Sequence, residues 1–352
     1  MRIALDAMGT DQHPAIEVQG AVEALRELSG DFTLILVGDR SQIDAELAKA
    51  GEVPQSRIEI VEASQIVAAS DPPATVLRRK PDSSIVVGLK LLKQEEADAF
   101  ISAGSTGAVM AASLFLLGAL PGVDRPGVAT VLPTAVGPIL LIDAGANVDC
   151  KPHHLLQFAR LAAVYAQDVF GRPNPRIGLL NIGEEPEKGN EVAVETYQRL
   201  RESDLNFIGN VEGRDIIRGE FDVLVTDGFC GNVLLKFYES VAKFMYTMVG
   251  KELGTAASSI DLDQVFHLFD WTEYGGAPLL GVNGISIICH GGSPPRAIKN
   301  AVRVAIQAVE SRMVGHIKHE IEAHESADTA PAVLPTSRKK TASSAGGVTE
   351  NA

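Results

Sequence analysis

Short apolar runs alternate along the chain with longer stretches in which apolar residues recur at helical spacing. The runs predict strands at 2–6, 32–37, 57–61, 99–102, 128–132, 139–143, 177–181, 206–209, 223–226 and 284–289. Most are continuously apolar and lack period-two alternation, as expected for strands buried on both faces of a mostly parallel sheet covered by helices. Helical spacing predicts helices at 15–28, 82–94, 107–120, 153–169, 191–202, 233–251 and 296–322. The longest apolar stretch, 107–120, is too short for a membrane span, which needs roughly 20 residues, and is expected as a buried helix. In 233–251, Leu234, Phe237, Tyr238, Val241, Phe244, Met245 and Met248 form a broad apolar stripe. A second cluster follows at Ile260, Leu262, Val265, Phe266, Leu268 and Phe269. Core, a dimer interface and a membrane-facing surface all fit these stripes. The reading is one α/β domain over 1–324 with a helical excursion at about 233–272. Residues 325–352, rich in Ala, Ser and Thr, carry little that packs and are expected as a disordered tail.

Composition narrows this picture. Of 352 residues, 45% are apolar, 33 are Gly and only 5% are aromatic, which favours α/β architecture with many tight turns over an aromatic-rich sandwich. With 31 basic and 45 acidic residues the net charge is −14, so a general nucleic-acid partner is not expected. Cys150, Cys230 and Cys289 are an odd number and far apart. They form neither a disulfide framework nor a zinc signature, and no metal site is expected. The first residues run straight into a strand with no signal-peptide pattern, which fits a cytoplasmic protein.

Candidate chemistry lies in the loops after the strands. They read Asp6-Ala-Met-Gly9-Thr-Asp11, Ser102-Ala-Gly104-Ser105-Thr106-Gly107, Asp143-Ala-Gly-Ala-Asn147, Asn181-Ile-Gly-Glu184-Glu185, Gly209-Asn210-Val-Glu212-Gly213, Thr226-Asp227-Gly-Phe-Cys-Gly-Asn232 and His290-Gly-Gly-Ser293. Seven polar, glycine-bearing loops at strand ends point to one binding edge. The plainer alternative is turn chemistry alone. The loop at 102–107 opens a helix, whose N-terminus favours a small anion, although Ser105 also suits a simple helix cap. No Walker A or Rossmann fingerprint occurs, so no nucleotide cofactor is expected. Asn147, Lys151, Asn181, Lys188, Asn190, Asn210, Asn232 and Lys236 supply donors of the kind that hold phosphate or polarise a carbonyl.

Nucleophile motifs are poor. There is no G-x-S-x-G elbow, and His153–His154 reads as a helix start. At the end of the last strand Cys289 is expected in the core, while His290 opens the following loop as the better site candidate.

Taken together, these motifs resemble the PlsX family of phosphate acyltransferases from residue 1 to about residue 304. The carriers are Asp6-Ala-Met-Gly9, Ser102-Ala-Gly104, Asp143-Ala-Gly-Ala-Asn147-Val-Asp-Cys-Lys151-Pro152, Asn181-Ile-Gly-Glu184-Glu185 with Lys188-Gly-Asn190, Asn210-Val-Glu212-Gly213, Thr226-Asp227-Gly-Phe229 with Asn232, and Tyr274 to Gly284. Thr10 stands where the family usually has a second Gly, Ser105 replaces an Asn, and Gly292-Ser293-Pro294-Pro295 replaces a Ser-rich segment. The resemblance implies a Rossmann-like three-layer α/β/α fold, related to phosphotransacetylases and isopropylmalate dehydrogenases, and a homodimer. It implies transfer of a long-chain acyl group from acyl-acyl carrier protein to inorganic phosphate, without a cofactor. It also implies loose membrane association and coupling to a membrane glycerol-3-phosphate acyltransferase. Arg296, Lys299 and Arg303 on one predicted helix, and Arg78-Arg79-Lys80, are the candidate docking clusters for the acidic carrier. Competing readings are a short-chain phosphotransacetylase using coenzyme A, a decarboxylating dehydrogenase on a related fold, and a non-catalytic sensor of phosphorylated metabolites.

Overall fold

The computed structural model describes residues 1–68, 70–253 and 271–328. The second apolar cluster, 260–269, and the tail beyond 328 lie outside the described residues. Eleven strands form one sheet in the order β3-β2-β1-β4-β11-β10-β5-β6-β9-β7-β8. They are β1 (Arg2–Asp6), β2 (Thr33–Gly38), β3 (Ile58–Glu62), β4 (Ala99–Ser102), β5 (Gly127–Leu132), β6 (Ile139–Ile142), β7 (Ile177–Asn181), β8 (Phe207–Glu212), β9 (Val223–Val225), β10 (Ala277–Leu280) and β11 (Ile285–Ile288). Helices α1 (Ala15–Glu27), α2 (Arg40–Lys49), α6 (Pro152–Phe170), α7 (Glu191–Glu202), α9 (Pro295–Glu310) and α10 (Met313–Asp328) pack through the larger core on one face. The other face carries α3 (Val76–Arg79), α4 (Ser84–Lys93), α5 (Thr106–Leu117) and α8 (Gly228–Leu253). The result is the expected Rossmann-like α/β/α arrangement with a mostly parallel sheet.

Strand direction, however, reverses in the middle. Strands β3, β2, β1, β4 and β11 are mutually parallel. β10 is antiparallel to β11 and to β5, and β5 is antiparallel to β6. From β6 onward β9, β7 and β8 are again mutually parallel, now pointing opposite to β1. The seven glycine-bearing loops therefore do not share one edge. Those after β1, β4 and β11 leave one edge, and those after β6, β7, β8 and β9 leave the other. Three antiparallel pairings through the central strands β10 and β5 cause this, and local periodicity does not encode strand polarity.

Other departures have local causes. The predicted helix over 296–322 is two helices, broken at Ser311–Arg312, where Arg312 takes a φ of 55°. The last helix continues to Asp328, so residues 325–328 of the expected tail are helical. α5 buries Ala108, Val109, Ala112 and Ser113 yet leaves Leu114 and Phe115 exposed, so it is a surface helix and not a fully buried one. On α8, Val241, Phe244, Met245 and Met248 are exposed, Phe244 by 60%, which removes the core reading for that stretch. No described helix is long and apolar enough to cross a membrane.

Candidate active site

A cleft of about 280 Å³ opens between α5 and α8, over β10 and β5. Helical spacing sets its walls. Thr106 and Met110, one turn apart, come from α5; Asn232, Leu235, Lys236 and Glu239 come from α8. The floor is apolar, with Val128, Ala144, Ala277 and Ile288. Thr130, Tyr274, Gly145, Cys289 and His290 also line the cleft. The central strands thus bring the loops after β4 and β11, from one edge, to the same cleft as the loop after β6 and the first turns of α8, from the other.

At the α5 end, two buried carboxylates hold the loops. Asp6 accepts the Ser102 hydroxyl at 2.6 Å and the Met8 N–H at 3.0 Å, and Ser102 Oγ accepts the Gly104 N–H at 3.0 Å. Burial pushes the Asp6 pKa up, opposed by the hydroxyls of Ser102 and Ser84. Glu17 accepts the N–H groups of Gly9 and Thr10 at 3.0 and 2.6 Å and the Thr10 hydroxyl at 3.0 Å. Its pKa is pushed up to about 7, chiefly by burial. A Cβ on Gly9 would lie 2.6 Å from the Gly104 nitrogen, so the two loops meet backbone to backbone. Asp6, Gly9, Ser102 and Gly104 are thus scaffold, and their polar groups are spent inside it. Ser105 is the N-cap of α5, and its side chain makes no capping bond. This helix end, with no acidic residue in its first turn, faces the cleft through Thr106 and favours negative charge. His290 Nδ1 accepts the Gly292 N–H at 3.0 Å. In the neutral ring Nε2 therefore carries the proton, making it a donor.

At the α8 end, Asp143 is fully buried and accepts five hydrogen bonds: from Val128, Gly145, Ala146 and Asn147 N–H groups and from the Asn147 side chain. Burial pushes its pKa up against those donors. Asn147 Nδ2 also donates to the Pro126 carbonyl, so this amide is committed to the scaffold. A Cβ on Gly231 would lie on the Asp143 carbonyl, which seats α8 on this loop. Asp227 caps α8 through the Cys230 N–H at 2.8 Å. Asn232 is exposed beside Gly145, and Lys236 bonds Glu239 at 2.8 Å on the cleft wall. Glu239, three residues along α8, is the counter-ion that holds this ammonium.

The remaining candidates gather elsewhere. Asn181 donates to the Lys188 carbonyl and accepts the Ile182 N–H; Asn190 caps α7 through the Ala193 N–H. Asn210 donates to the Glu185 carbonyl. Glu184 and Glu212 bind Arg214 at 3.3 and 3.1 Å. A second hollow of about 350 Å³ is lined by Glu184, Glu185, Glu212 and Arg214. None of these residues, nor exposed Lys188 and Lys151, lines the main cleft.

The two docking clusters also separate. Arg296 pairs with Glu273, Lys299 bonds Glu27 at 2.6 Å, and Arg303 donates to the Glu273 carbonyl and Gln307. Arg296 and Lys299 are thus matched by acids from other parts of the chain, and Arg303 is held by neutral oxygens. His153 and His154, expected only to start α6, both reach Asp124, at 3.0 and 2.7 Å. His154 Nδ1 accepts the Lys151 N–H at 2.9 Å, so it closes the helix end.

Residues 1–315 match the family model described as fatty acid synthesis protein. The chain is 49% identical over 329 residues to a phosphate acyltransferase of Desulforamulus reducens, covering 92% of this chain and 98% of that protein. It is 51% identical over 329 residues to one from Heliobacterium modesticaldum, covering 91% and 98%. Among solved structures, a phosphotransacetylase from Streptococcus pyogenes has a TM-score of 0.59 at 18% identity, covering 88% of this chain and 94% of that one. A branched-chain phosphotransacylase from Enterococcus faecalis has a TM-score of 0.56 at 17% identity, covering 88% and 99%. These structural likenesses establish the fold.

Proposed function

The chain belongs to the fatty acid synthesis protein family, and on that premise we propose that it transfers a long-chain acyl group from acyl-acyl carrier protein to inorganic phosphate. It is an acyltransferase, and the acyl phosphate it makes serves phospholipid synthesis. The observation that carries this reading is the cleft itself, which joins an open helix N-terminus and polar donors to an apolar floor. Phosphate is already anionic at neutral pH and needs positioning more than a base. The leaving thiolate, with a pKa near ~8.5, needs little acid help. In this reading the first turn of α5 and Lys236 hold phosphate beside the thioester carbonyl. A phosphate oxygen attacks the carbonyl carbon, His290 Nε2–H and the Asn232 amide donate to the developing oxyanion, and the thiolate departs. The loop from Asn181 to Asn190 then supports the neighbouring half of the fold.

The rest of the reading is also our proposal. One catalytic domain spans 1–324, it works in the cytoplasm as a homodimer, and it touches membrane lightly. The exposed apolar stripe of α8 is the surface offered for the last two. Incubation of the purified protein with palmitoyl-acyl carrier protein and phosphate, with hydroxylamine trapping of acyl phosphate, tests the central claim. Turnover of acetyl-coenzyme A at a comparable or higher rate would replace it with a short-chain phosphotransacetylase.

A further inference from the structure

We propose that the turn α3, through Arg78 and Arg79, is the surface on which the acidic carrier of the acyl donor docks; this rests on the carrier-protein reading above. In a chain of net charge −14, long-range forces oppose encounter with an acidic protein unless a local basic surface exists. Most cations near the cleft are already matched. Lys236 bonds Glu239, Arg296 pairs with Glu273, and Lys299 bonds Glu27. Arg78 and Arg79 are different. They are adjacent and exposed, and neither makes an ion pair among the described residues. Asp71, the acid that feels Arg79, is already bonded to Lys80 at 2.5 Å.

Placement supports the same conclusion. The single turn Pro73–Thr75 leads into α3 and packs on the start of α5. A Cβ on Gly107 would lie 2.9 Å from Pro73 Cγ. α3 therefore stands beside the helix end whose Thr106 lines the cleft. The turn is also fixed before any partner arrives. Lys80 Nζ bonds the Ile66 carbonyl at 2.7 Å as well as Asp71, and Asp71 accepts the Ala68 N–H. Two arginines on a pre-set turn lose little freedom on binding carboxylates, and their planar forks suit that geometry. A carrier seated there would hold its thioester at the mouth of the cleft.

The test compares the full-length protein with the variant Arg78→Glu/Arg79→Glu, and with Arg201→Glu as a remote control. Binding of unacylated carrier protein is followed by fluorescence anisotropy from about 50 to about 300 mM salt, where screening lengths fall steeply. Transfer is measured with palmitoyl-carrier and with the palmitoyl thioester of free pantetheine. The expected result is carrier binding weakened at least about tenfold, a flatter salt dependence, and unchanged turnover of the carrier-free thioester. Wild-type carrier affinity in the double variant would overturn the docking surface and leave the reaction standing. Equal loss with both thioesters would make the arginines structural and overturn it too. A wild-type protein that makes acyl phosphate only from coenzyme A thioesters, and binds no carrier, would overturn the donor assignment and the docking surface with it.

Discussion

Replacing Glu17 by Gln isolates one buried charge under the loop that follows β1. Glu17 has no exposed surface. Burial lifts its pKa from 4.5 to about 7, and nearby Asp6 adds to the rise. The folded state then holds a proton between pH 4.5 and 7 that the unfolded chain has released. Stability from this group is fully present below the unfolded pKa and is lost as pH rises through the folded one. At 1.36 kcal/mol per pH unit, the full change is about 3 kcal/mol. A melting entropy of roughly 2.1 cal/mol/K per residue gives about 0.7 kcal/mol/K for this chain, so the change amounts to about 4 °C. Gln keeps one oxygen for the Gly9 and Thr10 N–H groups, but its NH2 cannot accept the Thr10 hydroxyl. That costs about 1 kcal/mol. The expected outcome is that Glu17→Gln melts below the wild type at pH 5 and at or above it at pH 8. Calorimetric midpoints at four pH values, taken as the difference between the two proteins, cancel every other titrating group. A difference that stays flat from pH 5 to pH 8 would refute the reasoning, because it would mean that Glu17 titrates alike in both states.

His290→Ala is expected to lower turnover by roughly a hundredfold, whereas Lys188→Ala, outside the cleft, should stay within a few fold; steady-state rates with the opposite ranking would move the reacting centre to the loop after β7. Arg160, 2% exposed, holds Asp204 and Glu320 at 2.9 Å each. Arg160→Met should cost about 2 kcal/mol and speed amide exchange in α10, and unchanged protection over 313–324 would show that the clamp is idle. Phe244→Glu alters an exposed residue, so the protein should stay folded and active while losing dimerisation in light scattering or co-sedimentation with vesicles. Loss of solubility and fold would instead mean that the side chain packs.

What the sequence disclosed and what it hid divide along a physical line. β4 and β7 were predicted with their observed bounds because a run of three or four residues without a polar side chain, ended by Ser102 or Asn181, leaves no other element to form. β10 was missed because Ala277-Pro278-Leu279-Leu280 is short and carries a proline, which ordinarily excludes a central strand. α2 was missed because its only buried residue is Ile43, so it shows almost no apolar period; its signal was the Asp39 cap, whose carboxylate accepts the Gln42 N–H.

The candidate site follows the same division. Which loops carry polar donors is a local property, and His290, Thr106, Asn232 and Lys236, named from it, line the cleft. Which loops share a cleft depends on strand polarity, and that is set where β5 and β10, from distant parts of the chain, pair antiparallel with each other between β6 and β11. Charge behaves alike. Arg296, Lys299 and Arg303 looked like a free basic face because their helix carries no acids near them. Glu273 and Glu27 match Arg296 and Lys299, and Arg303 bonds the Glu273 carbonyl and Gln307. Arg78 and Arg79 make no ion pair among the described residues, and Asp71, the acid that feels Arg79, is taken by Lys80. A basic run in a sequence is therefore evidence for docking only after the fold has assigned its counter-ions. Of the two clusters, the fold engages every cation of the one on the longer helix and leaves Arg78 and Arg79, on a four-residue turn beside the cleft, without an ion pair among the described residues.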